Sequence, residues 1–193
     1  MAKPVQELPV MTFATASAFE NWLAENFEEP AGLWVKVAKK ASGIASVTHP
    51  EALDIALCFG WIDGQRRAFD DDYFLQKFTP RRPRSKWSKI NRDKVLQLIE
   101  DGRMRPSGMA QIEAARADGR WQDAYASQSR MTVPEDLQVR LDEQPDASRF
   151  FDSLDSRNRY AILYRIQDAK RAETRVRRIE QFMEMLMNGE KIY

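Results

Sequence analysis

The sequence is poor in the residues that carry most protein chemistry. Cysteine occurs once, at Cys58, and histidine once, at His49. A single cysteine excludes an intrachain disulfide and fits a reducing cytosol. One histidine and one cysteine fall short of the three or four ligands that zinc takes, so neither a metal site nor a cofactor is expected. A Ser–His–Asp triad would have to use His49, and no Gly-x-Ser-x-Gly elbow is present. Gly-x-Gly-x-x-Gly and Walker patterns are also missing, which removes support for nucleotide binding in those modes. The longest apolar run, Ile55 to Ile62, is far short of the roughly 18 residues of a spanning helix, so no membrane span is expected. Met1 to Val10 has one lysine, two prolines and no apolar h-region, unlike a Sec signal peptide. These absences together predict a cytoplasmic protein.

What is present is a globular balance. Of 193 residues, 43% are hydrophobic and 31% charged, which excludes a disordered chain. A chain of this length buries roughly 70% of its unfolded surface and needs no staple to hold a core. The net charge is only +1, but it is unevenly spread. Met1 to Glu29 holds one base against five acids, whereas Lys77 to Lys94 holds eight bases against Asp93 alone. A second basic cluster, Lys170, Arg171, Arg175, Arg177 and Arg178, lies near the C-terminus. Such asymmetry permits an anionic partner, although charge runs are commonly solvated faces.

Periodicity predicts an α+β fold, with a small antiparallel sheet packed on helices and followed by a C-terminal helical bundle. Residues 8–13 read as an edge strand. A helix follows over 16–28, with Phe19, Trp22, Leu23 and Phe27 on one stripe. Leu33 to Lys39 alternates as a half-buried strand, with Leu33, Val35 and Val37 on one side and Trp34 and Lys36 on the other. Thr48-His49-Pro50-Glu51 is a capping-box start for a buried helix that runs to Phe59. Trp61 to Phe69 and Tyr73 to Thr79 form a hairpin around Asp70, Asp71 and Asp72. Helices follow over 88–100 and 107–117, each stopped by Asp-Gly-Arg. From Pro134 the pattern is all helix, in segments near 134–143, 145–153, 156–169 and 173–188. The polar stretch around residue 130 suggests two units, 1–130 with the hairpin and arginine-rich segment, and 131–193 as a helical subdomain.

Few residues stand out chemically. His49 follows a capping threonine and reads as a surface residue at a helix start. Cys58 lies among Ile55, Leu57 and Phe59, where a buried thiol stays inert. Asp63 follows Trp61-Ile62 and precedes Gly64, where a backbone can approach a ligand closely. With Asp70, Asp71 and Asp72 it could form a carboxylate cluster, the alternative being a bulge and a turn. The strongest candidate is the segment 81–92. Pro80 and Pro83 hold Arg81, Arg82 and Arg84 in an extended path, beside Lys86. Arginine forks bind phosphates and carboxylates. Trp87 could stack on a base, and Ser88 opens a helix whose first amides could receive an anion. The alternative is a structural segment, with Trp87 in the core and the arginines paired to Asp70, Asp71 and Asp72. Lys170, Arg171, Arg175 and Arg178 make a second basic face if one helix carries them, unless Thr174 caps a new helix.

Three stretches also act as a set: Ala52 to Gly64, ending in Trp-Ile-Asp-Gly; Gln76 to Asn91, with Thr-Pro-Arg-Arg-Pro; and Ala169 to Arg175 with Arg178-Ile179-Glu180. Together they resemble the bacterial YdeI/OmpD-associated family, also called bacteriocin-protection proteins, over about Gly32 to Ile192. The resemblance implies a link to an outer-membrane porin or to antimicrobial stress, and brings no catalytic residue set. The favoured reading is a non-catalytic, cytoplasmic, stress-related protein that binds an anionic ligand (nucleic acid, nucleotide or phosphorylated metabolite) at the basic segment. One alternative is an enzyme using Asp63 in a pocket lined by Trp61 and arginines. Another is a protein partner docked on the C-terminal helices through Val176, Ile179, Phe182 and Leu186.

Overall fold

The computed structural model describes residues 7–126 and 131–193. The first six residues, and Arg130 at the expected boundary, lie outside the described residues. The fold is α+β, and the chain divides into two compact units, Met1–Ala124 and Tyr125–Tyr193.

The first unit is built on a four-stranded sheet. Its strands are β1 (Val10–Thr12), β2 (Leu33–Ala38), β3 (Trp61–Ala68) and β4 (Tyr73–Pro80). Their spatial order is β1-β2-β4-β3, with β1 parallel to β2 and the other neighbours antiparallel. The register explains why one face is core. Leu33 pairs with Phe78, Val35 with Gln76 and Val37 with Phe74, and all six are buried. Paired residues share a face, so this arrangement commits one side of the sheet to the interior. Onto that side pack α1 (Ala16–Asn26), through Phe19 and Leu23, and α2 (His49–Cys58), through Ala52, Ile55 and Ala56. The opposite side alternates back to half-buried or exposed residues, Trp34 excepted.

Local signals explain the helix starts. Thr48 Oγ1 accepts from the Glu51 amide while Glu51 accepts from the Thr48 amide, a complete capping box. These hydrogen bonds hold the Glu51 carboxyl below its ordinary range. Ser88 caps α3 (Lys89–Glu100), and Pro106 opens α4 (Pro106–Ala117). Gly108 lets α4 touch the C-terminal end of α2. A Cβ at Gly108 would sit 2.2 Å from the Cys58 carbonyl oxygen, which already accepts from the Arg105 amide at 3.1 Å.

The second unit is helical, with α5 (Glu135–Glu143), α6 (Pro145–Ser153), α7 (Ser156–Gln167) and α8 (Ala172–Met187). Leu137, Leu141, Phe151, Ile162, Ile166, Phe182 and Leu186 form its core. Buried Asn158 holds the C-terminal tail, since its Oδ1 accepts from the amides of both Ile192 and Tyr193 at 3.0 Å. Of the stripe considered for docking, Ile179, Phe182 and Leu186 are buried and only Val176 is 53% exposed. That stripe is therefore the unit's own core and not a docking face.

Candidate functional site

The basic segment is an ordered structure with some members turned in and others out. Arg81 leaves β4 by donating its amide to the Gly60 carbonyl at 3.0 Å. Its side chain is only 6% exposed and its guanidinium lies 3.6 Å from the Trp87 ring centroid. Arg81 Nη1 also donates to the Lys86 carbonyl at 3.2 Å. Trp87 is 2% exposed and packs edge-on against Trp121. Two sequence expectations are corrected here. Trp87 presents no ring for stacking on a base, because Arg81 and Trp121 cover it. Arg81 is a buried anchor rather than a ligand fork. Ser88 keeps its capping role, and its hydroxyl takes the Asn91 amide that an anion would need.

The outward members are held in shape by a short turn. The Arg82 amide donates to Ser85 Oγ, the Ser85 amide donates to the Arg82 carbonyl, and Arg120 Nη1 donates to the Ser85 carbonyl, each at 2.9 Å. Arg82, Arg84 and Lys86 are exposed. Among the described residues, no hydrogen bond or ion pair engages the side chains of Arg82 and Arg84. They do not reach the hairpin acids. Asp70 instead faces Lys36 at 3.6 Å and accepts from the amides of Asp72 and Tyr73.

Trp61 and Asp63 also depart from expectation. Trp61 is 1% exposed, and its Nε1 donates to the Phe27 carbonyl at 2.7 Å, so it fastens the end of α1 to β3. Asp63 does not join Asp70, Asp71 and Asp72, because seven residues of strand set them roughly 23 Å apart. Its partner is His49, which the helix-start pattern alone places as a surface residue. His49 Nε2 lies 3.1 Å from Asp63 Oδ2, with both side chains partly buried. The two sit on α2 and β3, 14 residues apart, and no spacing rule links them. Beside them β3 bulges between Asp63 and Arg66, and buried Gln76 donates to the carbonyls of Gly64 and Gln65. Cys58 is buried, and burial pushes its thiol pKa up. Among the described residues, no three His, Cys, Asp or Glu converge as a metal site. Nor, among them, is any helix long and apolar enough to cross a membrane.

The second basic face is split by a helix break. α7 ends at Gln167 and α8 begins at Ala172 with Arg171 as its N-cap residue, so Lys170 is not on the helix that carries Arg175 and Arg178. Thr174 lies inside α8 and does not cap it. Arg175 grips Asp136 with two nitrogens, at 2.5 and 2.8 Å, and donates to the Ile166 carbonyl. Arg178 donates to the Arg165 carbonyl. Both arginines therefore join helices within the second unit. The Arg175 hydrogen bonds hold the Asp136 carboxyl below its usual range.

The outer face of the sheet carries a set that the sequence reading did not assemble. The Arg67 guanidinium lies 4.6 Å from the Trp34 ring centroid, and Lys36 Nζ lies 4.0 Å from that of Tyr73 and 4.3 Å from that of Phe69. The alternation of Trp34 and Lys36 was a visible signal. The register that brings β3 and β4 beside them was not.

The molecule is thus a two-unit α+β protein with cations mounted on aromatic rings in its sheet-bearing half. Residues 11–111, more than half of the chain, match the family described as Domain of unknown function (DUF8412), and the chain belongs to that family. Residues 130–189 match the model described as Bacteriocin-protection, YdeI or OmpD-Associated, so the C-terminal part carries a YdeI/OmpD-associated domain. Of the three stretches that carried the resemblance, only Ala169 to Glu180 falls within this second match; Trp-Ile-Asp-Gly and Thr-Pro-Arg-Arg-Pro fall within the first. No curated protein and no solved structure matches the chain.

Proposed function

We propose that this chain is a non-catalytic binding protein for an anionic ligand, and that Arg82 and Arg84 are its principal contacts, with Lys86 beside them. One observation carries the reading: a buried Arg81–Trp87 stack and a hydrogen-bonded turn hold two exposed arginines whose side chains have no partner among the described residues. A backbone fixed in advance loses less entropy when the ligand arrives. Guanidinium forks favour phosphate or carboxylate. A cytoplasmic, stress-related setting is part of the proposal; the single cysteine and the family description of bacteriocin protection support it.

The test is thermal unfolding of the full chain against nucleotides, sugar phosphates, short RNA and DNA, and anionic lipid vesicles. A ligand at a hundred times its Kd stabilises by about 2.7 kcal/mol, a readable shift. The expected result is a shift with one anion class that Arg82→Ala/Arg84→Ala abolishes, while the ligand-free Tm stays unchanged. If no anion gives a shift, or if every shift survives in the double variant, the proposal fails.

A second reading has one observation in its favour, the His49–Asp63 pair. A carboxylate on Nε2 would orient the imidazole and leave Nδ1 as a base. The arginines once expected beside Asp63 do not support it, since Arg81 turns to Trp87. Turnover of activated esters or phosphoesters that His49→Gln removes would favour it. Equal background rates for the two proteins would end it.

A further inference from the structure

We infer that the outer face of the four-stranded sheet is a separate binding platform for single-stranded nucleic acid, reading bases by stacking and phosphates by charge. The face is set by register. Trp34 pairs with Lys77, Lys36 with Leu75, and Arg67 with the same Leu75, so their side chains all leave the sheet opposite to the buried Phe78, Gln76 and Phe74. Tyr73 belongs to the same side, opposite Ala38.

Two aromatic–cation stations result. At one, Arg67, itself exposed, lies over Trp34, which is 8% exposed. A guanidinium resting on one ring keeps its other plane for a second, which a nucleobase supplies. At the other, Lys36 lies over Tyr73 and Phe69, and Phe69 is 50% exposed. Trp34 and Ala38, which mark the two stations along β2, are four residues and so about 13 Å apart. Lys77 stands beside the first station, opposite Trp34, and its side chain crosses the face over Gly64, 3.8 Å from where a Cβ would stand. No ion pair engages Lys77 among the described residues. Among the described residues, the one carboxylate paired with this set is Asp70, which stands by Lys36 and already accepts two turn amides. Three cations against one carboxylate favour a polyanion.

The chemistry selects a single strand over a duplex. A flat face offers no helix or ribbon to enter a groove, whereas splayed bases can lie on it. Arg82 and Arg84 are not part of this platform, so it stands or falls independently of the anion site proposed above.

The experiment is fluorescence anisotropy of the full chain with labelled 12-nucleotide DNA and RNA single strands, the matching duplex, and an acidic peptide. Binding of one or both single strands is expected, with the duplex at least tenfold weaker. Three phosphate contacts on a single strand predict a log–log salt slope of about −2, roughly a twentyfold loss between 50 and 200 mM salt. Arg67→Ala/Lys77→Ala should weaken binding at least tenfold with unchanged Tm, and Arg67→Lys should recover only part, because it restores charge without the plane. Arg82→Ala/Arg84→Ala should leave single-strand affinity within about twofold. The inference is overturned by no single-strand binding at 50 mM salt. It is equally overturned by equal duplex affinity, by an acidic peptide that competes more tightly than the oligonucleotide, or by full affinity in Arg67→Ala/Lys77→Ala.

Discussion

Removing the Arg81 side chain tests the central claim about the basic segment, that this arginine is an anchor and its neighbours are not. Arg81→Ala removes a guanidinium stacked on a buried indole and a charged donor to the Lys86 carbonyl. A desolvated cation–π contact contributes about 2 kcal/mol and a charged hydrogen bond about 1.5–3 kcal/mol, and the cost of keeping the charge buried offsets part of the sum. The net loss should be about 3 kcal/mol, or roughly 12 °C in Tm for a unit of this size. All five tryptophans (Trp22, Trp34, Trp61, Trp87 and Trp121) lie in the first unit, so urea unfolding followed by their fluorescence reports that unit alone. Arg81→Met keeps the packed stem and should recover part of the loss. Arg82→Ala and Arg84→Ala, on exposed positions, should stay within about 0.5 kcal/mol of the parent. A loss below about 1 kcal/mol for Arg81→Ala, or an equal loss for Arg82→Ala, would refute the division into anchor and contacts.

Gly108→Ala sets about 1 kcal/mol of helix propensity against a backbone overlap at the Cys58 carbonyl that costs about 1–3 kcal/mol. The clash should win, and urea unfolding should show a net loss of up to about 2 kcal/mol. Cys58, buried and with its thiol pKa raised, should resist maleimide in the native state and react fully in 6 M urea-type conditions; rapid native labelling would contradict its place in the core. Asp136 has a folded-state pKa below its unfolded one, so its contribution is complete above the ordinary carboxylate value and is lost as pH falls through the lower folded value. With both partners partly exposed, the contribution should be only about 0.5–1 kcal/mol, and Asp136→Asn should remove it. Hydrogen exchange of the α5 and α8 amides should differ between the two proteins near neutral pH, and the difference should shrink as pH falls below the ordinary carboxylate value.

Much of the local structure was legible because its causes are local. Thr48, Pro50 and Glu51 announce α2 within four residues, and both halves of the capping box form. Both Asp-Gly-Arg stops place glycine at positive φ, 67° at Gly102 and 82° at Gly119. The alternation of Leu33, Val35 and Val37 marks the buried side of β2. The site was less legible. Trp87 admitted two readings, an open ring or a core residue, and only packing chose between them. The second basic face required one helix through Lys170 and Arg178, and the break before Ala172 removed it.

By itself the sequence determined the α+β class, the order of elements and the Leu33, Val35 and Val37 side of β2 as buried, because periodicity, caps and turn residues act over a few residues of chain. Tertiary structure alone decided that Arg81 turns inward onto Trp87 while Arg82 and Arg84 stay out. It alone joined His49 to Asp63 and gathered Trp34, Arg67, Lys36 and Tyr73 on one face. Those outcomes depend on strand register and on which surfaces close over which, and each comes from contacts between segments far apart in the chain that no local pattern records.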